Sequence, residues 1–217
     1  MMRRGKLAGV RLNLEGLSPM MKNIILTGRY ESEERRLCDR ALVAGDIVLQ
    51  LGSAIGFIGL YCLKTIGVSQ VYEVEANPET LRTLKANYRL NGEVARVLHT
   101  AVASEDGELE LSVGGEFWEN SLVAKGDSTI RVPAKELQSI LKLFGYPEIT
   151  ALVCDIEGAE ALVDFEGLPE SVRTIIIEFH PGVVGSETVG RIERDFRELG
   201  FQMIEEAGDA SLYLRSA

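Results

Sequence analysis

The sequence lacks the segments that would export a chain or anchor it in a membrane. No apolar run reaches the roughly 18 residues that a membrane span needs. The start, Met1 to Leu7, is basic, but Arg11, Asn13 and Glu15 interrupt the stretch that follows, so no apolar core of a signal peptide forms. We therefore expect a cytoplasmic protein that does not associate with membranes.

Positive charge is also scarce. The 23 Lys and Arg residues are outnumbered by 33 Asp and Glu residues, which gives a formal net charge of -10. A field of this sign repels phosphate backbones and anionic lipid headgroups. We therefore predict that neither nucleic acid nor a lipid surface is a partner.

Cysteines, repeats and linkers are few or absent. Cys38, Cys62 and Cys154 are far apart in the sequence and lack the short spacing of a zinc site, which favours buried free thiols, and we predict no metal ligands. The chain has no internal repeat and no linker rich in proline, glycine and serine. We predict that residues 1–217 form a single domain in which residues 1–44 are an N-terminal helical extension.

What the sequence does contain is an alternation of short apolar runs and helical stretches. Strands are predicted at residues 47–51, 70–75, 95–103, 108–113, 149–154 and 172–179. Helices are predicted at residues 32–43, 57–66, 78–91, 134–144 and 189–199. Two short strands, around Met203 and at 212–214, end the pattern. This order predicts an α/β fold: a doubly wound, mainly parallel sheet with helices on both faces and a C-terminal antiparallel hairpin.

The first candidate site is a glycine loop. The segment from Gly52 to Gly56 lies between a predicted strand and a predicted helix, and Glu75 ends the next strand about 20 positions later, where an acid can accept both hydroxyls of a ribose. Dinucleotide-binding loops have a middle glycine, but here Ser53 and Ala54 follow Gly52. The loop therefore favours a nucleoside ligand without a pyrophosphate, such as S-adenosylmethionine, over NAD. A simple tight turn is the structural alternative.

Acids and a histidine follow the last two predicted parallel strands, where such sheets bind ligands. Asp155 and Glu157 are two positions apart, so they share a face in extended backbone and suggest a base or a holder for an amino group. Glu160 is interpreted as an acid that caps the following helix. Glu178 and His180 leave the most apolar strand together, and His180 is either a general base or a loop histidine bonded to the chain.

Taken together, these motifs resemble the FkbM-type S-adenosylmethionine-dependent methyltransferases, which belong to the Rossmann-like class I group. The matching segments, in order, are Tyr30-Glu31, Gly45-Asp46, Gly52 to Gly56, Glu75 to Pro78, Ala101 to Gly107, Asn120-Ser121, Asp155 to Glu160 and Glu178 to Pro181. The resemblance implies a methyltransferase that uses S-adenosylmethionine and modifies a hydroxyl of a sugar or a polyketide-like small molecule. It also implies an acceptor pocket formed by the N-terminal segment and the loops around Trp118.

The resemblance and the strand ends together give a set of candidate site residues. The catalytic candidates are Glu157 and His180. The cofactor-binding candidates are Gln50, Gly52, Ser53, Ala54, Gly56, Glu75, Ala76, Ala101 and Asp155. Three positions depart from the family pattern, since Gln50 replaces an acid, Ala54 an asparagine and Val153 a lysine. These departures leave open a methyltransferase fold that has become a binding module, and a nicotinamide-dependent oxidoreductase is a further alternative.

Overall fold

The apolar runs of the chain form the strands of a mainly parallel sheet. The computed structural model describes residues 3–113 and 128–216. Its strands are β1 (Arg4–Leu7), β2 (Val10–Asn13), β3 (Ile47–Leu51), β4 (Gln70–Glu75), β5 (Arg96–His99), β6 (Ala101–Val102), β7 (Gly107–Val113), β8 (Ser128–Lys135), β9 (Ala151–Cys154), β10 (Thr174–Glu178), β11 (Phe201–Ala207) and β12 (Ala210–Arg215). Its helices are α1 (Pro19–Leu26), α2 (Ser32–Ala41), α3 (Phe57–Tyr61), α4 (Pro78–Asn91), α5 (Leu137–Leu143), α6 (Pro181–Val184) and α7 (Ser186–Glu198).

The central sheet has seven strands in the order β11-β12-β10-β9-β3-β4-β5. The five strands from β10 to β5 run parallel to one another. Strand β12 is antiparallel to both β10 and β11, which gives the C-terminal hairpin. The predicted fold class is therefore confirmed, and the carboxyl ends of β3, β4, β9 and β10 meet at one edge of the sheet.

Helices cover both faces of this sheet. Along β3, Val48 packs against side chains of α1 to α4, whereas Leu49 and Leu51 pack on the opposite face against α5 and α7. Every residue of β9 is buried, because this strand lies between two parallel neighbours under two layers of helices. The parallel strands are thus held rigidly at the edge where their ends converge.

The segment between β4 and α5 differs from the prediction. The strand expected at residues 95–103 is two strands, because β5 stays in the main sheet while β6 joins β7 and β8 in a separate sheet of three strands. The helix expected at 134–144 begins at Leu137, since β8 extends to Lys135. Asp106 fixes this boundary: its carboxylate accepts hydrogen bonds from Lys135 Nζ at 2.8 Å and from the Glu136 amide at 3.1 Å.

The N-terminal segment is only partly helical, which corrects the expected helical extension of residues 1–44. It begins with the antiparallel hairpin β1–β2, and α1 and α2 follow. Two asparagines of α4 hold the hairpin: Asn87 Oδ1 accepts from the Asn13 amide at 2.7 Å, and Asn91 Oδ1 accepts from the Arg11 amide at 2.9 Å. The hairpin was not predicted because its partners lie on a helix far along the chain.

Three further predictions concern the cysteines, membrane-spanning helices and the segment around Trp118. Cys38, Cys62 and Cys154 are buried free thiols, as predicted. Within residues 3–113 and 128–216, no helix combines the length and the apolar character that crossing a membrane requires. The expected acceptor loop around Trp118 and the matching pair Asn120-Ser121 lie outside the described residues.

Candidate cofactor and acceptor site

A cavity of about 670 Å³ opens to solvent at the carboxyl ends of β3, β4 and β9. Residues predicted from sequence that line it are Gly52, Ala54, Glu75, Ala76, Ala101, Asp155 and Glu157. The topology therefore brings together side chains that are up to a hundred positions apart in the sequence.

Gly52 joins the glycine loop to the end of β9. Its φ of +79° favours glycine, and a Cβ at this position would overlap the carbonyl oxygen of Asp155. The amides of Gly52 and Ser53 both donate to the Val74 carbonyl at 3.0 Å, which ties the loop to β4 as well. The backbone of the loop therefore forms one wall of the cavity in a fixed position.

Three predicted cofactor-binding residues do not line the cavity. Ser53 is buried, and its hydroxyl accepts from the Val74 amide at 3.1 Å. Gly56 has a φ of +76° and lets α3 approach α4, since a Cβ there would lie 2.8 Å from the Leu84 side chain. Gln50 is buried, and its Oε1 has no hydrogen-bond partner among the described residues. Ser53 and Gly56 therefore fix the conformation of the loop without facing the cavity.

Glu75 bridges the glycine loop and α4. Its Oε2 accepts from the Ala54 amide at 2.8 Å, and its Oε1 accepts from the Asn77 amide at 2.7 Å. Burial raises the pKa of Glu75 to about 7, although the two amides favour the charged form. A carboxylate oxygen has a second lone pair, so this side chain can also accept hydrogen bonds from a ligand hydroxyl.

A second cleft, of about 780 Å³, adjoins the first cavity. The two share Glu31, Asp155 and Glu157, so they join at the end of β9. The acidic residues that line the cleft are Glu31, Glu33, Glu34, Asp155, Glu157 and Glu178, beside a single arginine, Arg29. This cleft is therefore a strongly acidic space next to the first cavity.

His180 lies among these acids. Its Nδ1 is 2.9 Å from Glu160 Oε1, and its Nε2 is 3.3 Å from Glu157 Oε2. The same Nε2 is 3.7 Å from Asp155 Oδ1 and from Glu178 Oε1. Burial lowers the pKa of His180, but the bond to Glu160 and the charge of Asp155 outweigh it and raise the pKa to about 9. The acids around His180 therefore favour its protonated form.

The acids of the cleft retain protons more strongly than usual. Burial raises the pKa of Asp155, and the charges of Glu31 and Glu157 raise it further. Burial and a hydrogen bond with Glu34 raise the pKa of Glu178 to about 11. Burial and the charge of Glu34 raise the pKa of Glu31 to about 8. Burial is the main cause of these directions, and repulsion among crowded carboxylates adds to it.

Sequence reasoning missed part of this cluster. Glu160 is fully buried; it accepts from the Gly158 amide at 3.2 Å, as a capping acid does, and it also orients His180. Glu31 and Glu34 come from the start of α2, which packs beside β10. The acids in this segment indicated that a helix starts here. No local sequence signal shows that this helix start lies above the edge of the sheet.

The comparison with protein families decides the class of this chain. The family model described as "Methyltransferase FkbM domain" matches residues 50–203. The chain belongs to the FkbM methyltransferase family. The match begins at Gln50 and includes Glu75, Asp155, Glu157 and His180, whereas Glu31 precedes it. The resemblance predicted from the motifs is thus confirmed.

Solved structures show the same fold in other methyltransferases. Methyltransferase FkbM from Methylobacillus flagellatus KT aligns with a TM-score of 0.56 and 15% identity, over 88% of this chain and 52% of that one. Precorrin-6y C5,15-methyltransferase from Geobacter metallireducens GS-15 aligns with a TM-score of 0.53 and 10% identity, over 86% of this chain and 88% of that one. This FkbM methyltransferase spans about half the length of the Methylobacillus protein. A search of curated proteins finds no match to the chain.

Proposed function

We propose that this FkbM methyltransferase transfers the methyl group of S-adenosylmethionine to a hydroxyl of a small molecule such as a sugar or a polyketide-like compound. The observation that carries the proposal is the convergence of Gly52, Glu75 and Asp155 around one cavity that opens into a second, acidic cleft. One space fits the methyl donor and the other the acceptor.

The donor assignment is supported by the chemistry of the first cavity. Glu75 is held by two backbone amides where it can accept hydrogen bonds from both ribose hydroxyls. Val102 and Leu111 supply an apolar wall for the adenine ring. Asp155, on the side of the acidic cleft, can hold the amino group of the cofactor's amino-acid tail.

The acceptor assignment is supported by the second cleft. Carboxylates accept hydrogen bonds from hydroxyls, so several acids on one wall suit an acceptor with many hydroxyls. Transfer breaks the bond between the sulfonium and the methyl carbon while the acceptor oxygen bonds to that carbon in line, leaving S-adenosylhomocysteine. The acceptor proton passes to a base, and we assign this role to Glu157, which lines both spaces. We assign His180 to the acceptor hydroxyl as well, because its Nε2 is 3.3 Å from Glu157 Oε2.

The test combines binding and turnover. Calorimetry should detect binding of S-adenosylhomocysteine and no comparable binding of NAD. Incubation with methyl-labelled S-adenosylmethionine and a panel of sugars, polyketides and phenols should give a labelled ether, detected by mass spectrometry. Binding without any product would favour the non-catalytic module. Binding of NAD alone would overturn the donor, and a product methylated on nitrogen would overturn the hydroxyl acceptor.

A further inference from the structure

We propose that Asp155, Glu178 and His180 bind one divalent cation of the class that accepts mixed oxygen and nitrogen ligands, such as Mn²⁺ or Mg²⁺. Asp155 directly follows β9. Glu178 ends β10, the neighbouring parallel strand, and His180 lies two positions later. Carboxylates favour Mg²⁺ and Mn²⁺, and here two carboxylates outnumber the single imidazole, a ligand that suits Zn²⁺, Fe or Ni²⁺. The site lies in the acidic cleft beside the donor cavity.

The distances suit one ion. One donor atom of each residue lies within 4.8 Å of those of the other two. His180 Nε2 is 3.7 Å from Asp155 Oδ1 and 3.7 Å from Glu178 Oε1. Ligands of an octahedral ion with bonds of about 2.1 Å are separated by about 3 Å when adjacent and about 4 Å when opposite. Small side-chain adjustments therefore bring all three atoms onto one ion.

An unsatisfied atom points to a ligand at this place. Asp155 Oδ1 is shielded from solvent and has no hydrogen-bond partner in the described part of the chain. Leaving a buried carboxylate oxygen without a hydrogen-bond partner is unfavourable. A cation bound to this oxygen would remove that penalty, and the other oxygen of Asp155 would remain for the amino group of the cofactor.

The orientation of His180 provides further support. Its Nδ1 bonds to Glu160, a fully buried residue, and its Nε2 consequently faces the acids of the cleft. Histidine ligands of metals commonly bond through their other nitrogen to a carboxylate, which fixes the ring. Glu160 is therefore a positioning residue for the ion site.

The chemical role of the ion rests on the proposed function, whereas its binding does not. A cation beside the acceptor would lower the pKa of a hydroxyl bound to it. The ion would then assist loss of the acceptor proton, with His180 serving as a ligand.

The test is a titration of chelator-treated protein with Mn²⁺, followed by the electron paramagnetic resonance signal of the free ion. We expect one bound Mn²⁺ per chain, displaced by excess Mg²⁺. Glu178→Gln and Asp155→Asn should each weaken Mn²⁺ binding at least 10-fold, and Glu160→Gln should weaken it roughly 10- to 100-fold. Circular dichroism of each variant confirms folding, and two independent ligand variants keep the test valid if one of them does not fold.

Glu33→Gln is the matched control, because it removes an exposed carboxylate from the same cleft outside the ligand set. It should leave Mn²⁺ affinity unchanged. No Mn²⁺ binding by the wild type, or equal losses in Glu33→Gln and Glu178→Gln, would overturn the site. Calorimetry with S-adenosylhomocysteine separates the failure of the ion site from the failure of the proposed methyl donor. If the protein binds S-adenosylhomocysteine but not Mn²⁺, only the ion site is refuted. If it binds Mn²⁺ but not S-adenosylhomocysteine, only the donor is refuted.

Discussion

Glu73 makes the stability of this methyltransferase depend on pH. Its side chain is fully buried on β4, where Oε1 accepts a hydrogen bond from the Tyr88 hydroxyl and Oε2 has no partner among the described residues. Burial raises the pKa of Glu73 to about 7 from an ordinary 4.5, which outweighs the opposite effects of hydrogen bonds with Ser53 and Tyr88. The fold therefore favours the neutral carboxyl.

The sign and size of the effect follow from this shift. The folded state binds the proton of Glu73 more tightly than the unfolded state does. The stabilisation that protonated Glu73 adds to the free energy of unfolding is therefore complete below pH 4.5 and is lost as the pH rises through about 7. One pKa unit corresponds to about 1.4 kcal/mol, so the loss amounts to roughly 3 kcal/mol. That is a large share of the roughly 5–15 kcal/mol by which domains are stable.

The perturbation is Glu73→Gln, which keeps a neutral side chain of the same shape at every pH. Urea unfolding followed by circular dichroism, at several values from pH 4 to pH 8, gives the free energy of unfolding of both proteins. The variant should match the wild type near pH 4 and exceed it by roughly 3 kcal/mol at pH 8. Glu108→Gln, at an exposed position of β7, should show a difference that does not change with pH. If the difference in free energy of unfolding between Glu73→Gln and the wild type does not change with pH, the reasoning is refuted.

Three predictions concern the site itself. Glu75→Ala should weaken S-adenosylhomocysteine binding roughly 100-fold in calorimetry, because charge-assisted hydrogen bonds to the ribose are lost. Asp155→Asn should impair cofactor binding and turnover together, whereas Glu157→Gln and His180→Ala should lower kcat by about 10²- to 10⁴-fold with little change in cofactor affinity. Gly52→Ala should abolish cofactor binding and lower the Tm, because the added Cβ overlaps the Asp155 carbonyl.

Matched variants control these measurements. Glu79→Ala removes an exposed acid near the start of α4, and Gly107→Ala places a Cβ in open space, so neither should change cofactor affinity. Cofactor binding by Gly52→Ala at the level of Gly107→Ala would contradict the assigned loop geometry. A complex with S-adenosylhomocysteine in which Glu157 and His180 lie more than about 10 Å from the sulfur would remove both from the acceptor site.

Sequence alone predicts the strands that carry the site. The bounds of β3 and β4 agree with the prediction, because each is a short run rich in β-branched and apolar residues followed by a clear signal: a glycine loop after β3 and Asn77-Pro78 after β4. Strand β8 was missed because it begins with the polar pair Ser128 and Thr129. Its register comes from pairing with β7, and no local pattern contains that information.

The site, too, has parts that the sequence predicts and parts that depend on tertiary packing. Gly52, Glu75 and Asp155 could be predicted to meet because parallel strands place their carboxyl ends at one edge. The contributions of Glu31 and of the Glu160–His180 pair depend on how α2 and the segment after β9 pack, which is a tertiary property. The acidic character of the cleft therefore emerges only in three dimensions.

The close approach of Gly52 to the Asp155 carbonyl constrains how this methyltransferase adapts to its substrate. No side chain separates the glycine loop from the end of β9, and β9 itself is buried at the centre of the sheet. The spacing between the donor and this wall of the cleft cannot widen without breaking the sheet. Under the proposed function, acceptors of different size must therefore be accommodated elsewhere in the cleft, where Glu31, with a φ of +48°, leads into α2. Selection for new acceptors should act first on the residues around this entrance to α2.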